Sequence, residues 1–299
     1  MARTLRPRWS LWPALIAAAA CAGTTAAPAG DGGTTAADAT TPLDAGRSAA
    51  DAEPATDVPD GPADDAAASP PDAGTSTPPT RRALRLTTTD GLGLAATLVT
   101  SSVSPAGAPG LVLVHQFGLS QAQWGQLPER LALRGYRVLL LDLRGHGGSD
   151  PYGGPRLDAL LTDPAGAPRD VAAALAYLGV EGEADPARLG VVGTSVGANL
   201  AVVAALTQGV ATAVALSARI PPTEALAARP ARGMRGVYYL AGELDPGGQA
   251  ADGRALHTAT AEPRGLTILP GSRAHGVELL SQHPEVEGLV TDWLAAHLR

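Results

Sequence analysis

From residue 81 onward the sequence predicts an α/β fold. It is a mostly parallel sheet of about eight strands with helices on both faces and little or no cap. Three observations carry this. Gly110 to Val114 is a continuous apolar run that fits a strand buried on both faces, and Arg137 to Leu143 reads as the next buried strand. These runs alternate with helical segments, the order that produces right-handed crossovers in a parallel sheet. Several chemically capable polar residues fall just past the ends of the runs, where open α/β sheets hold their ligands.

The elements follow in chain order. Arg81 to Thr89 reads as a strand, with Leu84 and Leu86 on one face. Asp90-Gly91 is a hairpin signal, and Leu92 to Thr100 returns as a second strand at the sheet edge. Ser104 to Gly110 is a Pro/Gly loop, and the buried strand Gly110 to Val114 follows. Gln121 to Arg134 has helical spacing, weakened by Pro128 and ended by Gly135. After the strand Arg137 to Leu143, Ser149 to Gly166 reads as one long loop. Arg169 to Leu178 is a helix, Leu189 to Thr194 a strand, and Ala198 to Leu206 an alanine-rich helix. Strands at Ala211 to Ser217 and Gly236 to Ala241, a helix at Ala250 to Thr260 and a strand at Gly265 to Leu269 come next. Pro284 to Leu298 closes the chain as a helix, with Val286, Leu289, Val290, Trp293 and Leu294 on one stripe.

The first 80 residues have a different composition. Arg3, Arg6 and Arg8 precede an apolar stretch from Trp9 to Ala20, the pattern of an export signal over residues 1–21. The stretch is short for a membrane span, which needs about 20 apolar residues. Ala18-Ala19-Ala20-Cys21 resembles a bacterial lipobox, with alanine where leucine is usual, and makes Cys21 the expected lipidation site. A membrane anchor through that lipid would place the protein in the bacterial cell envelope. The alternatives are a soluble secreted or periplasmic protein, a retained signal, or a start site set too early. Residues 22–80 are Ala, Asp, Pro, Thr and Gly with almost no large apolar side chain, and predict a disordered, acidic tether. The chain of 299 residues carries net charge −7, and all of its cationic side chains are arginine. That balance argues against a nucleic-acid partner. One cysteine excludes an internal disulfide. Oligomeric state is not legible.

The chemistry concentrates around Gly193-Thr194-Ser195-Val196-Gly197, between a strand and a helix. A G-x-S-x-G in that context is a sharp turn that exposes the serine beside a helix N-terminus. Serine needs a base, and the base needs a carboxylate to hold it. Asp245 and His275 supply these, each just past a predicted strand, in the order Ser, Asp, His. Glu243 is the rival acid; His257, His283 and His297 sit in or beside predicted helices and read as structural. An oxyanion hole needs two fixed N–H donors. Val196, after the serine, is one, and Phe117, in His115-Gln116-Phe117-Gly118, is the other. Gln116 and the Phe117 ring are candidate substrate-lining groups. Asp142, Arg144 and His146 read as scaffolding. A metal reading of His115, His146 and Asp142 lacks an H-x-H pair or an acidic cluster, and neither metal nor cofactor is expected.

Together these pieces resemble the α/β-hydrolase superfamily, nearest its dienelactone-hydrolase-like and serine-esterase-like members. His115 to Gly118 matches the HG-x-G loop, Asp142 to Ser149 the D-x-R-G-H-G-x-S segment, and Gly193 to Gly197 the serine turn. Gln116 departs from the usual glycine. The resemblance implies hydrolysis of a carboxylic ester through an acyl-serine, on a small-molecule substrate. The short intervals around the site favour small or short-acyl esters. A peptidase or amidase on the same residues, and a non-catalytic envelope-binding domain, are the alternatives.

Overall fold

The computed structural model describes residues 77–298, apart from 155. The expectations for residues 1–21, Cys21 and most of the 22–80 segment lie outside the described residues. The described chain forms one eight-stranded sheet. Its strands are β1 (Thr80–Thr87), β2 (Gly93–Thr100), β3 (Gly110–Val114), β4 (Arg137–Leu141), β5 (Leu189–Thr194), β6 (Thr212–Leu216), β7 (Arg235–Gly242) and β8 (Ala261–Leu269). The spatial order is β1-β2-β4-β3-β5-β6-β7-β8. β1 and β2 are the antiparallel edge hairpin, β2 joins β4 antiparallel, and β3 to β8 run parallel.

Strand periodicity divides the core into two layers. Val112 and Val114 of β3 face one layer, Leu111 and Leu113 the other. The first layer is closed by α3 (Pro168–Gly179), α4 (Val196–Thr207), α5 (Ile220–Ala227) and α6 (Gln249–Ala259), through residues such as Val171, Leu200, Leu226 and Leu256. The second is closed by α1 (Leu127–Leu133), α7 (Glu278–Gln282) and α8 (Glu285–His297), through Leu131, Leu279, Val290 and Leu294. α4 is buried over nearly its whole circumference, in keeping with its mostly apolar, alanine-rich sequence.

Four elements differ from the sequence expectation. The helix expected over Gln121 to Arg134 is two pieces, a 3₁₀ turn Gln121–Trp124 and α1. Gly125, at φ 52°, breaks it, and Pro128 sits in the first turn of α1, where a missing N–H costs nothing. The expected loop from Ser149 to Gly166 contains α2 (Leu157–Thr162), a single amphipathic turn anchored by buried Leu160 and too short to show a period. The interval after β6 forms α5, whose Pro221 and Pro222 open the helix rather than preventing it. α7 also stands where no element was expected. α2 lies against α5. Together these six- and eight-residue helices are short excursions between the sheet elements, with no large cap domain among the described residues. Among the described residues no helix is long and apolar enough to cross a membrane.

Candidate active site

The turn after β5 leaves its residues little freedom. Ser195 adopts φ 53° and ψ −111°, a left-handed conformation rare for a side chain with a Cβ. Its N–H donates to Leu216 O at 2.8 Å and its carbonyl accepts from Asn199 N–H at 3.1 Å, so both neighbours clamp it. A Cβ on Gly193 would collide with the Gly197 carbonyl, and one on Gly197 would collide with the Val114 carbonyl. Glycine at both positions therefore lets α4 begin hard against β3 and β5.

The three residues proposed from the sequence come together. Ser195 Oγ lies 2.8 Å from His275 Nε2. His275 Nδ1 lies 2.9 and 3.0 Å from the two oxygens of Asp245. With the Nδ1 proton donated to Asp245, Nε2 is the acceptor for the serine hydroxyl, the tautomer a base needs. The Asp245 side chain is fully buried while that of His275 is about one-third exposed. The imidazole thus bridges the interior and the open face. Glu243 turns elsewhere, accepting the Gly271 N–H at 2.8 Å. His283 bonds Ser272 Oγ at 2.7 Å and His297 stacks on Trp293. His257 lies in α6.

Three supporting residues escaped the sequence reading. Ser217, at the end of β6, is buried, with φ 67°. Its hydroxyl donates to Asp245 Oδ2 at 2.8 Å and accepts the Gly276 N–H at 2.9 Å, tying the acid to the histidine loop. It obeys the same strand-end rule that picked out Asp245, which is the signal that would have found it. Gln123 accepts the Gln116 N–H at 3.1 Å and donates to Thr194 Oγ1 at 2.9 Å, joining the loop after β3 to the serine turn. Gln249 closes the far side, with Nε2 3.3 Å from His275 Nδ1.

Gln116 spans a gap. Its Oε1 accepts the Val277 N–H at 2.9 Å, so the residue that replaces the family glycine fastens the β3 loop to the histidine loop. Neither the Phe117 nor the Val196 N–H has an acceptor among the described residues. The Phe117 ring packs against the first core layer and meets His146 edge-on at 5.4 Å.

The remaining polar residues brace these loops. Asp142 accepts the N–H groups of Gln121 at 2.7 Å and Gly148 at 2.9 Å. Buried Arg144 bonds Asp170 at 2.7 and 2.9 Å and Asp90 at 3.0 Å. His146 accepts the Gly118 N–H at 3.1 Å. His115 accepts the Leu143 N–H at 3.0 Å through Nε2 and meets the Gln116 carbonyl at 2.8 Å through Nδ1. Burial holds its pKa down to about 4, so it stays neutral. Among the described residues no group of three or more His, Cys, Asp or Glu side chains is placed to hold a metal ion. A groove of about 680 Å³ elsewhere, lined by Arg85, Leu86, Tyr177 and Val180 among others, includes no residue of the Ser195–His275–Asp245 set.

The family described as alpha/beta hydrolase fold matches residues 109–264, and the chain belongs to it. Solved structures agree on the fold. A dienelactone hydrolase from Anabaena variabilis ATCC 29413 is 21% identical, with a TM-score of 0.60, covering 75% of this chain and 100% of its own. An esterase from Pyrococcus furiosus is 18% identical, with a TM-score of 0.57, covering 74% and 94%. An alpha/beta hydrolase from Penicillium sp. sh18 is 16% identical, with a TM-score of 0.58, covering 73% and 99%. A search of curated proteins found no match. The family match supports hydrolase activity.

Two predictions follow from the packing. Replacing Ser217 by Ala removes a donor to a buried carboxylate and strands the Gly276 N–H, a loss of about 1–3 kcal/mol. Ser217→Gly should lose less, because glycine accepts the positive φ. Urea unfolding measures both, and two variants as stable as the parent would contradict the role. His115 supplies a pH dependence. Its folded pKa, about 4, lies below the unfolded value of 6.5, so acid protonates the unfolded chain first. Its contribution, on the order of 3 kcal/mol, is complete above pH 6.5 and is lost as pH falls from 6.5 to 4. The urea midpoint should therefore fall between pH 7 and pH 5 more steeply in the parent than in His115→Gln; equal slopes would refute it.

Proposed function

We propose that the protein is a serine hydrolase that cleaves small carboxylic esters through an acyl-serine. The 2.8 Å contact between Ser195 Oγ and His275 Nε2, with Asp245 on the other ring nitrogen, is the observation that carries this reading. Ser195 attacks the ester carbonyl while His275 Nε2 takes the hydroxyl proton. Asp245 holds the imidazole in its tautomer and stabilises the imidazolium that forms. The tetrahedral oxygen is received by the N–H groups of Phe117 and Val196. Collapse expels the alcohol, which leaves with the proton from His275. Water, deprotonated by the same nitrogen, then releases the acid and regenerates Ser195. The scheme requires no cofactor. The brevity of α2 and α5 favours short acyl groups, since little chain is available to cover a long one. We further propose that the domain works at the bacterial envelope, held by a lipid on Cys21. The basic and apolar opening of the sequence supports that placement.

A fluorophosphonate probe tests the mechanism. The parent should be labelled, and Ser195→Ala should not. On p-nitrophenyl esters of increasing acyl length, Ser195→Ala should lose at least about 10³-fold in kcat, and the parent should favour short chains. Absence of labelling in the folded parent would favour a binding domain instead, and a marked preference for long chains would overturn the size argument.

A further inference from the structure

Gln116 stands where the family usually has glycine, and its position gives it a role beyond holding loops together. The Val277 backbone N–H is a donor, so the end of the carboxamide it meets at 2.9 Å must be the oxygen. That fixes Nε2 as the other end. Nε2 has no hydrogen-bond partner among the described residues and is not among their buried, unpaired polar atoms. Gln116 itself is only partly buried. Its amide therefore keeps donor capacity that solvent can reach.

The same amide is close to the reacting serine. A Cβ placed on Gly276 would overlap Gln116 Oε1 and lie 3.5 Å from Ser195 Cβ. Gly276, which lies beside the base, is thus the spacer between the Gln116 carboxamide and Ser195. The residue is held at its backbone and at its side-chain oxygen. The Gln116 N–H is held by Gln123, its carbonyl receives the Leu119 N–H at 3.3 Å and meets His115 Nδ1, and Oε1 is held by Val277. A donor held in advance loses little entropy when a ligand arrives.

We infer that Gln116 Nε2 determines specificity by donating a hydrogen bond to a second oxygen of the substrate, next to the carbonyl that Ser195 attacks. The substrate class is an ester with an ether, keto or carboxylate oxygen within two or three bonds of the scissile carbonyl. A plain alkyl ester leaves the donor unused, and sites built to bond a substrate polar group discriminate against analogues that lack it. This inference rests on the ester-hydrolase reading above.

The test compares p-nitrophenyl methoxyacetate with p-nitrophenyl butyrate, which differ by one oxygen in place of a methylene. Intrinsic reactivity cancels when the ratio of the two kcat/KM values is compared between parent and variants. Gln116→Glu keeps an acceptor for Val277 and replaces the donor by an oxygen that repels the substrate's. Gln116→Met removes both functions. The methoxyacetate-to-butyrate ratio should fall about five- to tenfold in Gln116→Glu and in Gln116→Met. Butyrate turnover should survive better in Gln116→Glu than in Gln116→Met, because only the former keeps the loop tie. An unchanged ratio in variants that still hydrolyse butyrate would overturn the inference and leave the esterase reading intact. A folded parent that hydrolyses neither ester would overturn both.

Discussion

Two glycines, Gly193 and Gly197, approach so closely that no side chain fits between them. The rest of the site depends on that contact. Because α4 starts there, against the carbonyl of Val114, the intervening serine has to turn outward through a positive φ. The conformation is unfavourable by itself, on the order of 1–3 kcal/mol, and survives because strand and helix hydrogen bonds overdetermine it. Ser195 is thereby delivered to the carboxyl edge of the sheet with its hydroxyl available. Asp245 and His275 arrive at the same edge from the ends of β7 and β8.

Positioning then passes from backbone to side-chain amides and hydroxyls. Ser217 braces the carboxylate and the histidine loop with one oxygen. Gln123 joins the β3 loop to Thr194, and Gln116 joins it to Val277. Each tie connects segments at the ends of different strands, so the ends of β3, β5, β6, β7 and β8 act as one unit. Removing the fully buried Asp245 carboxylate would leave Ser217 and His275 without their shared acceptor, a larger loss than that of a surface ion pair.

Much of this was legible in the sequence. The strands β3 and β5 were placed to the residue, because buried parallel strands are uninterrupted apolar runs. Ser195, Asp245 and His275 were legible because each lies just past such a run. Short elements were not. α2 spans six residues and α7 five, too few to show a period, and the prolines of α5 resembled a loop until the helix start was seen. The tie from Gln116 to Val277 was also hidden, since the two are 161 positions apart and meet through a backbone N–H that no side-chain pattern reveals.

The proposed chemistry at Ser195 depends on an imidazole held in one tautomer between a buried carboxylate and the serine. Proton NMR of the protein labelled with ¹⁵N-histidine, with the resonance assigned through His275→Gln, observes that hydrogen bond directly. A strongly deshielded Nδ1 proton on residue 275, lost on Asp245→Ala, is the predicted result. An imidazole that interconverts freely between tautomers in the parent, with no such proton, would contradict it.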